Sequence, residues 1–113
     1  MPKSNIKAAV HTGQFDHLAA PSVRLAITNI RLELDDVERH LHEARVRAHW
    51  LSPEAKKSLS TAEIAAQQQN AMQSVQRLAR RWNRLTARFC EAWQVWQLKL
   101  QEQAANQQQT TNN

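Results

Sequence analysis

From Val23 to Ala48 the residues Val23, Ile27, Ile30, Leu34, Val37, Leu41, Ala44 and Ala48 recur at steps of four and three without a miss. A second row does the same with one polar exception: Ile64, Gln68, Ala71, Val75, Leu78, Trp82, Leu85, Phe89, Ala92 and Trp96. Such steps return one side of an α-helix to the same partner about every 3.5 residues, the signature of a coiled-coil seam. Neither stretch contains Gly or Pro. Two long helices that pack on each other are therefore the frame into which the rest of the chain must fit.

The break between them carries its own signals. Ser52-Pro53 reads as a cap followed by Pro in a first helical turn, where its missing N–H costs nothing. Ser60-Thr-Ala-Glu63 matches a capping box, in which hydroxyl and carboxylate each satisfy the other residue's backbone N–H. Folding the rows back on each other at the break sets Ala48 against Ile64, Val37 against Val75, Ile30 against Trp82 and Val23 against Phe89. Every pair of numbers then adds to 112 and matches an a position to a d position. Among 113 residues there are one Gly, three Pro and no Tyr, and strand-type alternation is missing. The expected fold is all-α: a long antiparallel helical hairpin, coiled-coil-like, completed to a bundle by an N-terminal segment, by dimerisation or by both.

The expected divisions follow. Residues 1–21 form an N-terminal packing segment with a short helix over 14–20, and Phe15 and Leu18 reach Trp93 and Trp96. The hairpin spans 22–103, with a helix over 22–50 capped by Ser22, a connection over 51–60 and a helix over 61–103. Residues 104–113, mostly Gln, Asn, Thr and Ala, have too little apolar surface to pack and are expected to be disordered.

The hairpin leaves apolar surface over. On the second helix Ala65, Met72, Ala79, Thr86, Trp93 and Leu100 widen the buried face beyond a two-in-seven seam. On the first helix Leu25, Leu32 and Val46 point away from it. Leu25, Leu32, Met72, Trp93, Trp96 and Leu100 are the candidate partner interface, offered to a second copy of the chain or to a different protein.

The charged face is sharper. Arg77, Arg80, Arg81, Arg84 and Arg88 recur opposite the second seam, and no acid occurs between Ile64 and Cys90. The row extends about 17 Å, enough to follow several phosphates, and guanidinium groups offer paired donors to phosphate oxygens. Against this stands an inter-helix salt-bridge face. Glu33, Asp35, Asp36 and Glu38 come level with Arg77 and Arg81 in the 112 register, and Glu33 with Arg81 is the pair to look for. Such surface pairs contribute at most about 1 kcal/mol each. Arg84 and Arg88 come level with Thr28 and Arg24 and meet no acid.

Trp82, Trp96 and Trp93 lie on or beside the seam and read as packing residues. Trp50, at the turn, is the one placed for exposure. His40 and His42 point apart on a helix, so the histidines make no metal site, and the single Cys90 has no visible base to activate it. No phosphate loop, paired carboxylates or nucleophile motif appears, which points away from an enzyme, a cofactor or a small-molecule substrate. No apolar run reaches the roughly 20 residues that span a bilayer, no secretory leader is read, and one cysteine suits a cytoplasmic setting.

Two functions remain. A net charge of +5 and the arginine face favour a non-catalytic nucleic-acid-binding protein, such as an accessory subunit of a nucleoprotein complex, that contacts phosphates without reading sequence. The alternative is a helical adaptor or chaperone that binds a protein through the surplus apolar stripes.

Overall fold

A computed structural model describes residues 11–112, with side chains over 11–108. The first ten residues of the expected packing segment and the last residue of the tail lie outside that range. Three helices follow in order: α1 (Ala20–His49), α2 (Pro53–Ser58) and α3 (Thr61–Asn112). The described residues contain no strand, and α1 and α3 form the all-helical hairpin. No helix among the described residues is long and apolar enough to cross a membrane.

The helix ends follow local chemistry. α1 starts two residues before the expected Ser22 cap. The amides of Ser22 and Val23 both donate to the Ala19 carbonyl, at 3.0 and 3.1 Å. Pro21 sits comfortably inside that first turn because the N–H it lacks would have been an orphan. Ser52 caps α2 as expected, its hydroxyl accepting from the Ala55 amide at 3.1 Å. The capping box also forms: the Ser60 amide donates to the Glu63 carboxylate at 2.8 Å, and the Glu63 amide donates to the Ser60 hydroxyl at 3.1 Å. The Ser60 amide first, and then the Ser60 hydroxyl, hold the Glu63 carboxyl below its usual range.

Two expected boundaries change. Residues 14–17 form a turn and not a short helix. α3 continues to Asn112, beyond the Gln103 end and across the tail expected to be disordered. Without Gly or Pro to stop it, extending a nucleated helix through Gln and Ala costs little, even where no side chain is buried.

By packing, the described residues divide into a connection unit, Leu34–Arg84, and a terminal unit made of residues 11–33 and 85–112. In the connection unit Val37, Leu41, Ala44 and Ala48 of α1 and Ala71 of α3 are buried. The register there differs from the expected one. The Trp82 indole N–H donates to the Glu38 carboxylate at 3.0 Å. Under the 112 pairing Trp82 would sit level with Ile30, eight residues or about 12 Å away along α1. The hydrogen bond instead makes Val37 the seam partner of Trp82, one heptad on, with Leu41 against Leu78 and Ala48 against Ala71. The cause lies in the connection. Leu59 is extended (φ −109°, ψ 146°) and Ser60 caps α3, so the chain reverses at Leu59-Ser60 and not midway along 51–60. α2 then falls on the α1 side of the reversal.

In the terminal unit Val23, Ile27 and Ile30 of α1 and Leu85, Ala92 and Val95 of α3 are buried, together with Phe15. The segment from His11 to Ala19 runs along the Glu91, Val95, Lys99 stripe of α3. Thr12 and Gly13 bond Glu91, and the Lys99 ammonium donates to the Asp16 carbonyl at 2.9 Å. The segment was expected against Trp93 and Trp96. Trp93 lies about 200° round the helix from Glu91, and it stays 45% exposed.

Candidate nucleic-acid interface and apolar groove

All five arginines of the predicted face are exposed. Arg77, Arg80, Arg81 and Arg84 belong to the connection unit and Arg88 to the terminal unit. They reach solvent because α3 turns the opposite side to α1, and a guanidinium on that side needs no partner to stay hydrated. Arg77 donates to the Ser74 hydroxyl at 3.3 Å, and Arg81 is also engaged. Among the described residues no ion pair reaches Arg80, Arg84 or Arg88.

Arg84 is left over for a reason that the sequence alone does not reveal. In the observed register it comes level with Asp35 and Asp36, not with Thr28. Asp36, however, pairs with Arg39 and with His40 on its own helix, and Glu38 accepts from Trp82. Asp35 and Glu33 are engaged as well. Asp36 and Glu38, which composition alone would assign to the arginine face, have these other partners.

Of the six candidate interface residues, three come together. Leu25, Trp96 and Leu100 line one groove of about 470 Å³ in the terminal unit, with Pro21, Arg24 and Thr28 beside them. Leu25 and Leu100 are exposed and Trp96 is half-buried. Leu32 is 62% exposed on α1. Trp93 stacks on Phe89 at 6.5 Å and meets Trp96 edge-on at 5.3 Å. Met72 is half-buried in the connection unit and does not join the groove. Residues 20–28 of α1 thus stand beside Trp96 and Leu100 of α3.

One cluster was not anticipated. Glu91, the single acid between Arg77 and Trp96, is 2% exposed. Its carboxylate accepts from the Thr12 amide at 2.9 Å, the Gly13 amide at 3.0 Å and the Thr12 hydroxyl at 3.0 Å. Gly13 takes a positive φ of 82°, which turns two successive amides toward one anion, a backbone nest closed by the protein's own carboxylate. Burial raises the carboxyl's pKa, but the Thr12 hydroxyl and the Thr12 and Gly13 amides outweigh it, and the net shift is downward. Gly13, the only glycine, was the one available signal for it.

Cys90 is a half-buried free thiol. Among the described residues no three His, Cys, Asp or Glu side chains gather as metal ligands would. No family model, curated protein or solved structure matches the chain.

Proposed function

We propose that this protein is a non-catalytic nucleic-acid-binding helical protein, an accessory component of a nucleoprotein complex in the cytoplasm. The arginine face of α3 contacts the phosphate backbone without reading sequence. The observation that carries this reading is the pair Arg80 and Arg84. They are exposed and one turn apart on a helix with no acid between Ile64 and Cys90. Neither belongs to an ion pair among the described residues. With no carboxylate competing for them, both guanidinium groups have their paired donors available to phosphate oxygens.

The test is a titration against single- and double-stranded oligonucleotides across two salt concentrations. Engagement of about four phosphates predicts a slope of log affinity against log salt near −3. Arg80→Ala/Arg84→Ala is expected to flatten that slope by about 1.5 and to weaken binding by about ten-fold at moderate salt. Absence of binding at low salt would eliminate the reading.

The groove of Leu25, Trp96 and Leu100 favours a second reading, a helical adaptor or chaperone that binds a protein, with a second copy of the chain as the simplest partner. Pairing of two copies through Leu25, Leu32 and Trp93 would complete a four-helix bundle. Light scattering is then expected to give twice the chain mass, and Leu25→Ser/Leu32→Ser to return it to one. A native chain that stays monomeric at high concentration removes the self-pairing form.

A further inference from the structure

We infer that the cleft between the C-terminal end of α1 and the early turns of α3 is a subsite for one unpaired nucleobase, so that the preferred ligand is single-stranded. This rests on the phosphate-contact reading above. The cleft holds about 290 Å³ and is lined by Arg47, Trp50, Leu51, Gln67, Asn70, Ala71 and Ser74, all within the connection unit.

Three properties point to a base. The first is size. The volume lies just below the about 300–1,000 Å³ of small-ligand sites, which suits one planar heterocycle.

The second is chemistry. Trp50 follows the last residue of α1, and its amide donates to the Val46 carbonyl at 2.9 Å. That bond holds the residue at the helix end while its side chain stays exposed, at 61% of the residue's surface. An indole kept in water at the end of a helix is a stacking surface in search of a second ring. Gln67 and Asn70 each bring an amide with both donor and acceptor atoms, the pattern of a base edge. Neither side chain is bonded to another described residue.

The third is position. Ser74 lines the cleft and accepts the hydrogen bond from Arg77, the first cation of the exposed face. A strand that places a base on Trp50 can therefore continue its backbone along Arg77, Arg80 and Arg84. In a duplex the bases are paired inward and their faces are hidden, so this subsite works only on an unpaired strand.

The experiment compares three labelled ligands of about 12 nucleotides: a single strand, an abasic single strand of equal length, and the corresponding duplex. The native chain is expected to bind the base-containing strand about ten-fold tighter than the abasic one. Trp50→Ala is expected to erase that margin with the salt slope unchanged, and Trp50→Phe to keep most of it. The residue is exposed, so far-UV circular dichroism should be the same for both variants. Equal affinity of the native chain for base-containing and abasic strands, or an intact margin in Trp50→Ala, overturns the subsite and leaves the arginine reading standing. Failure to bind either strand at low salt overturns both. Arg80→Ala/Arg84→Ala is expected to lower both strands together, which separates loss of phosphate contact from loss of stacking.

Discussion

An Ile30→Ala variant is expected to unfold about 3 kcal/mol more easily than the native chain, whereas Leu32→Ala on the same helix changes stability by less than about 0.5 kcal/mol. The two residues differ in surroundings more than in chemistry. Ile30 is 2% exposed and Leu32 62% exposed. Truncation of Ile30 removes buried methyl and methylene groups and leaves a cavity that a helix held by neighbours on the same seam, such as Ile27, cannot easily close. Leu32 points away from the seam and gives up little beyond surface already wet. Urea melts followed at 222 nm measure both. An Ile30→Ala loss no larger than that of Leu32→Ala would show that Ile30 is not a seam residue.

Glu91→Gln is expected to cost about 2 kcal/mol at neutral pH, because a charged acceptor of three hydrogen bonds becomes a neutral amide. The amide presents an N–H₂ to donors that have nowhere else to turn. The effect should depend on pH in a defined sense. The Glu91 pKa is lowered from 4.5 in the folded chain, so its contribution is complete above about pH 4.5 and is lost as pH falls through the folded value. His11, beside it, behaves in the opposite way. Its pKa is raised from 6.5, first by its hydrogen bond to Asp16 at 2.9 Å and then by that residue's charge. Its contribution is complete below about pH 6.5 and fades as pH rises through the folded value. Between roughly pH 4.5 and 6.5 both contributions are therefore complete: the Glu91 anchor to α3 and the His11–Asp16 bond within the N-terminal segment. Melts of native and Glu91→Gln chains at pH 7 and pH 4 test this. The gap between them should shrink at the lower pH, and an unchanged gap would remove the carboxylate as the anchor.

The arginine face needed no structure to locate, because exposure on a helix follows from position relative to the apolar seam. Arg77, Arg80, Arg81, Arg84 and Arg88 are all exposed as their spacing required. Which of them carries an ion pair was not legible. That depends on where Asp36 and Glu38 send their oxygens, and both find partners that sequence reasoning did not consider. Glu91 was equally hidden. A lone acid between arginines and tryptophans looks like one more solvated charge. Only the turn at Gly13 and the path of residues 11–19 turn it into a buried anchor, and contacts between residues so far apart leave no periodic trace.

The heptad spacing determined that this chain makes two long helices and which side of α1 is buried, and the capping residues Ser52 and Ser60 determined where new helices begin. Those properties are local, set by periodicity and by orphan amides at helix ends. The pairing of the helices was not determined in that way. A seven-residue repeat matches a to d positions equally well after a shift of seven, so the 112 pairing and the observed one are indistinguishable by pattern. What distinguishes the two is seen in contacts that do not repeat: the Trp82–Glu38 hydrogen bond and the reversal at Leu59-Ser60 that leaves α2 on the α1 side. That one-heptad shift also sets which acids come level with Arg84, and thus which groups the arginine face has to answer.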